Sequence, residues 1–201
     1  MDGRGAGTER ARGFSLIELL VSLFIISLLM GIILAILPQA RDAAKRAACG
    51  GMLKGVAGGI TAYRNDNRDE FPKARYMPPP WLSGDTDPPL PEALSRYIEP
   101  GTGAYKCPGD RVVAERTYLD ANGVEQECGV SYTYVVALSG VPYEQTFYYR
   151  FLKLTPMDTP VAYDFDGGTF ETQDEEEVRV DFFHSARNVL FVDSHVGRYG
   201  E

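Results

Sequence analysis

The sequence predicts an α+β fold: a long N-terminal α-helix, apolar in its first half and amphipathic in its second, packed on a C-terminal antiparallel β-sheet. Three observations predict it. From Leu19 to Leu37 no residue is charged, and Leu, Ile, Val and Phe dominate the run. From Cys49 to Tyr63 apolar residues recur at helical spacing. After Val130, short runs of β-branched and aromatic residues alternate with glycine and proline. The expected boundaries are a polar leading segment at 1–13, a membrane-spanning helix at 14–37, its amphipathic continuation at 38–67 and a globular head at 68–201.

The leading segment, MDGRGAGTERARG, is polar and carries Arg4, Arg10 and Arg12. At Phe14 the chemistry changes abruptly. As a helix the uncharged run spans roughly 28 Å, about one bilayer core. Its apolar residues surround the axis instead of forming a stripe, so a buried helix of a soluble protein does not fit. The run also exceeds the roughly 7–15 apolar residues of a secretory signal. The small residues in AILPQARDAAKRAA nevertheless leave cleavage after it as a competing reading. Glu18 stands at the head of the run. A carboxylate there needs a partner. Cutting after Gly13 would supply one, a free amine on Phe14, and the helix dipole also favours an acid in the first turn. Arg41, Lys45 and Arg46 follow the run, so positive charge flanks both sides and does not orient the helix.

Pro38 is expected to kink the helix or mark its exit from the bilayer. Beyond it Cys49, Met52, Leu53, Val56, Ile60 and Tyr63 share one face. Gly50, Gly51, Gly55, Gly58 and Gly59 weaken the helix by about 1 kcal/mol each against alanine, but allow close packing. The helix should end near Asn65–Asn67; run unbroken from Phe14 it would be about 80 Å long. The six prolines between Pro78 and Pro91 predict a loop, with Trp81 pinning it to the core. Leu90–Tyr97 reads as a short helix. Strands are expected at Val130–Leu138, Thr146–Leu154, Val161–Phe165, Val178–Phe183 and Asn188–Val192.

The formal charge of −8 argues against a nucleic-acid partner, which calls for a basic patch. The acidic run Glu171, Asp174, Glu175, Glu176 and Glu177 reads as a solvated loop. Three cysteines leave at least one thiol without an intramolecular partner. No CxxC pair suggests a structural zinc site.

Arg12-Gly13-Phe14-Ser15-Leu16-Ile17-Glu18-Leu19-Leu20 resembles the class III signal of type IV prepilins and type II secretion pseudopilins. The resemblance implies cleavage after Gly13 by a prepilin peptidase, N-methylation of Phe14, and a glutamate, Glu18, that sets assembly register against the amine of a neighbouring subunit. It also implies a leader in the cytoplasm, a single span of the inner membrane and a head in the periplasm. Partners would be other pilin or pseudopilin subunits, the inner-membrane assembly platform and the bilayer.

Tyr63-Arg64-Asn65-Asp66-Asn67 before Phe71-Pro72 resembles a pseudopilin helix exit. Tyr105-Lys106-Cys107-Pro108-Gly109-Asp110 and the run His184 to Val196 resemble segments of a pilin-like group known mainly from planctomycetes. In the latter the spacer is one residue shorter and Ser194 replaces a glycine. This likeness implies a Cys49–Cys107 disulfide with Cys128 free; Cys107–Cys128 is the other pairing.

Chemistry in the head has two candidates. Asp193 and His195, with His184 across the preceding turn, offer a metal set or a hydrogen-bonded pair closing the last hairpin. Ser194 and His195 point to opposite faces of a strand, which argues against a hydrolase. Asp164 and Asp166, followed by Gly167-Gly168, have the spacing of a calcium loop or of an Asp-rich turn. Some major pseudopilins hold calcium in a late loop. The expected function is a structural filament subunit and not an enzyme. The alternative is a single-pass protein whose periplasmic head binds a ligand or catalyses a reaction.

Overall fold

Helix α1, Leu16–Asp66, opens a computed structural model that describes residues 15–84, 86–99 and 101–198. By its contacts the chain divides into two units, residues 1–41 and 42–201. In the first unit, α1 is apolar on every side. Every large hydrophobic side chain from Leu16 to Ile36 is exposed, none by less than 49%. Such a surface is stable only where lipid or protein covers it. The helix is long and apolar enough to cross a membrane. Pro38 lies inside it without ending it; a proline costs an intrahelical hydrogen bond at that point.

In the second unit the same helix turns amphipathic. Cys49, Leu53, Val56, Ala57 and Ile60 are buried along one stripe, and Met52 and Tyr63 pack against the same core. Close packing through glycine is confined to one turn of this helix. A Cβ on Gly59 would strike the Ile98 side chain, whereas Gly51, Gly55 and Gly58 face open space. α1 ends at Asp66, and the Asn67 side-chain amide donates to the Tyr63 carbonyl at 2.7 Å.

The proline-rich loop is pinned as expected: Trp81 is buried and meets Phe165 edge-on at 5.0 Å. Helix α2 is a single turn, Leu90–Ala93, burying Leu90. Strands β1, Thr117–Leu119, and β2, Glu125–Glu127, form a hairpin that closes through Gly123 at φ 74°. Strand β3 is Tyr132–Tyr134. Helix α3 is Phe147–Arg150, followed by β4, Pro160–Asp164; β5, Gly168–Glu171; β6, Glu177–Val180; β7, Val189–Phe191; and β8, Val196–Gly197. Among the described residues the main sheet is antiparallel in the order β3-β4-β7-β8, and β5-β6 is a separate ribbon. The α+β class therefore holds.

Two strand expectations fail locally. Thr146–Leu154 is not a strand. Thr146 caps α3, its hydroxyl accepting from the Tyr149 N–H at 3.3 Å and donating to the Tyr143 carbonyl at 2.7 Å. Phe147 and Phe151, four apart, stack at 5.2 Å on the exposed side. Aromatic β-propensity yields here to a local cap and an i,i+4 pair. Val130–Leu138 forms a strand only over β3, and beyond Val135 the residues Val136–Leu138 wind into a 3₁₀ turn.

Candidate functional site

Gly13 and Phe14, the expected cleavage and methylation positions, lie outside the described residues. The Ser15 carbonyl accepts from the Glu18 and Leu19 N–H groups at 3.0 and 3.2 Å. Glu18 thus sits in the first helical turn, an acidic group at the positive end of the helix dipole. Its side chain is exposed, as are the apolar residues around it. Ser22 and Ser27 turn their hydroxyls back to the carbonyls of Glu18 and Leu23, so neither adds an unpaired donor to the apolar surface.

In the head, Cys49 and Cys107 are joined by a disulfide with a Cα–Cα distance of 5.0 Å, while Cys128 is a buried free thiol. Burial pushes the Cys128 thiol up to about 12, so it stays protonated and inert. Around Cys107 the loop is organised by Asp110. One of its carboxylate oxygens accepts from the N–H groups of Val112 and Val113; the other accepts from Ala114 N–H and the Ser131 hydroxyl, at 2.6–2.9 Å. Ser131 in turn accepts from Cys107 N–H at 2.9 Å. The Cys-Pro-Gly-Asp segment is therefore a folded cradle that fixes the backbone of Cys107.

His184 does not join Asp193 and His195. It is buried against the disulfide, with Nε2 at 3.1 Å from both sulfurs. Burial lowers its affinity for a proton, and Asp42 opposes that shift. Asp193 and His195 form the hairpin-closing pair, Nδ1 to Oδ1 at 2.6 Å, and the imidazole stacks on Phe191. Ser194 occupies the turn at φ 72° and lies 3.4 Å from the Thr61 hydroxyl.

Asp164 and Asp166 are both buried. Asp166 accepts from Arg187 Nε at 2.7 Å and from Phe183 N–H at 2.9 Å. One Asp164 oxygen accepts from the Asn188 backbone N–H at 2.8 Å and the Asn188 side-chain amide at 3.1 Å; the other has no partner among the described residues. Three of the four oxygens expected to face a cation are thus spent on protein donors. Arg187 and Asn188 were not singled out in the sequence, because they stand some twenty residues away with no local pattern to tie them to the two acids.

Burial pushes Asp164 up to about 7, assisted by Asp166 and opposed by Asn188. The folded-state value lies above the unfolded value of 3.8, so the folded chain holds this proton more tightly. The stability so gained is complete below about pH 4 and is lost as pH rises to about 7. At about 1.4 kcal/mol per unit, the loss is at most about 4 kcal/mol. Asp164→Asn keeps an acceptor for Asn188 and removes the titration. The variant is expected to match the wild type near pH 4 and to exceed it in stability at pH 8. Thermal unfolding of the full chain in detergent, followed by near-UV circular dichroism at both pH values, checks this; a variant less stable than wild type at pH 8 would contradict the penalty that burial places on the Asp164 carboxylate.

Residues 9–34 match the family model for the prokaryotic N-terminal methylation motif. No curated protein and no solved structure matches the chain. The matched segment holds Gly13, Phe14, Glu18 and the apolar turns that follow, so this protein carries the prepilin-type cleavage and methylation motif of type IV pilin-like proteins.

Proposed function

We propose that the chain is a pilin or pseudopilin: a structural subunit of a type IV pilus or type II secretion pseudopilus. A prepilin peptidase cuts after Gly13, Phe14 becomes the methylated N-terminus, and the helix anchors the subunit in the inner membrane with its head in the periplasm. The subunit then assembles with other pilins on an inner-membrane platform. The observation that carries this reading is the exposed, all-round apolar start of α1 with one carboxylate in its first turn, inside the matched motif. A membrane anchor alone has no use for that carboxylate. A packed filament does, because the new amine of one subunit can neutralise Glu18 of the next.

The mature N-terminus tests it. Mass spectrometry of the protein isolated from its own cells is expected to find a chain beginning at N-methylated Phe14. An intact Met1, or a chain cut after the apolar run, would overturn the proposal.

A further inference from the structure

The second unit contains a buried group that neither filament assembly nor the disulfide uses. His184 is 5% exposed, and its Nε2 sits 3.1 Å from the sulfurs of both Cys49 and Cys107. A disulfide needs no imidazole beside it. Its sulfurs are weak acceptors, so they return little for the desolvation of a buried ring. Among the described residues Nε2 has no oxygen or nitrogen partner. The other ring nitrogen faces the Asp42 carboxylate at 3.9 Å, beyond hydrogen-bond reach.

Space for this ring has been cleared. Gly109 lies two residues after Cys107, and a Cβ on it would collide with the imidazole. The Gly109 N–H is also directed at Cys107 Sγ, 3.3 Å away. A backbone N–H aimed at a sulfur stabilises a thiolate more than a disulfide. The Asp110 cradle holds Cys107 in this position from below.

We infer that in its reduced state the head binds one zinc ion through Cys49 Sγ, Cys107 Sγ and His184 Nε2. The three donor atoms lie within 4.8 Å of one another. Zinc bonds of about 2.3 Å to sulfur and 2.0–2.1 Å to nitrogen call for sulfurs about 3.8 Å apart and sulfur–nitrogen distances of about 3.6 Å. Meeting that geometry takes cleavage of the S–S bond, parting of the two sulfurs by about 2 Å, and growth of each sulfur–nitrogen distance by about 0.5 Å. Two thiolates and an imidazole are a soft donor set that selects zinc over calcium or magnesium. Their two negative charges cancel the cation, so the buried site is neutral. A fourth position is left for water. Asp42 lies on the Nδ1 side of His184, the side from which an outer-shell carboxylate steadies a metal-bound histidine, and an approach of about 1 Å would bring it within hydrogen-bond range.

A dithiol reductant gives two electrons and two protons to the disulfide, becoming a disulfide itself and leaving Cys49 and Cys107 as thiols. Zinc then displaces the two thiol protons to solvent, and His184 donates its Nε2 lone pair with its remaining proton on Nδ1, toward Asp42. Disulfide and zinc are mutually exclusive occupants of one place in the fold.

Cobalt(II) is the probe. The full chain in detergent, reduced with a phosphine under anaerobic conditions, is expected to take up one cobalt per chain. It should show thiolate-to-cobalt charge transfer and tetrahedral d–d bands, both bleached by added zinc. The oxidised chain should show neither, and Cys128→Ser should retain both. His184→Ala and His184→Gln should lose at least about 100-fold in affinity, more than the loss of an outer-shell partner brings. Near-UV circular dichroism of the oxidised variants establishes that they fold. A reduced wild-type chain without the cobalt spectrum would overturn the inference, whatever the variants do. So would a folded His184 variant with the wild-type spectrum and affinity.

Discussion

Glu18→Ala is expected to leave cleavage after Gly13 and methylation of Phe14 intact while incorporation into filaments falls by more than about tenfold. The two outcomes separate because they use the residue differently. On the proposed function, the peptidase would act on single precursors in the membrane, before the Phe14 amine forms. Assembly into a filament would then bring that amine into an apolar bundle, where it needs a partner. Removing one partner of a desolvated ion pair strands the other, and the loss exceeds the worth of the pair itself. Glu18→Gln refines the test. It preserves shape and helix packing but removes the charge, so it should fail in assembly nearly as completely as alanine. The measurement compares the variant in sheared filament fractions with that in membranes, with mass spectrometry reporting processing. Wild-type incorporation of Glu18→Gln would show that the position serves packing and not charge.

What could be read from the sequence, and what could not, follows the distance over which each signal acts. The N-terminal motif is contiguous, so Glu18 and the apolar run stand out without any structure. The buried stripe Cys49, Leu53, Val56 and Ile60 is a period within one helix and was equally visible. Strands β4 and β7 are short apolar runs buried in the middle of the main sheet, where pattern and environment agree. The β1–β2 hairpin was missed for the opposite reason. Its residues are mostly exposed, its second strand is Glu-Gln-Glu with no apolar alternation, and only the Asn122-Gly123 turn marks it. α3 was misread because Thr146 acts through its hydroxyl, which β-propensity does not register. The histidine beside the disulfide had no local signal at all. His184 lies 77 residues from Cys107 and 135 from Cys49, and its sequence neighbours Asp193 and His195 were the more obvious companions.

Asp110→Ala is expected to destabilise the head by about 4 kcal/mol or more, the largest loss from a single side chain outside the apolar core. The carboxylate is buried and accepts four hydrogen bonds, three from consecutive backbone N–H groups and one from Ser131. Alanine would leave those donors facing one another in a loop where Val113 and Ala114 are also buried. Each unsatisfied buried donor costs about 1–3 kcal/mol. Water admitted to the small space left behind would recover part of the loss. Asp110→Asn separates geometry from charge. Its carbonyl oxygen can still accept from Val112 and Val113, but its amide must point its hydrogens at Ala114 N–H and the Ser131 hydroxyl. Ser131 can reverse its hydroxyl to accept; the backbone N–H cannot. Asparagine should therefore cost about half as much as alanine. At about 2–4 °C per kcal/mol for a chain of this size, the alanine variant should unfold about 8–16 °C below wild type. The measurement is thermal unfolding of the full chain in detergent, under oxidising conditions with the disulfide confirmed by mass. An alanine variant within about 1 kcal/mol of wild type would mean that the cradle is held by Cys107 and Ser131 without Asp110, against the hydrogen-bond pattern that the structure shows.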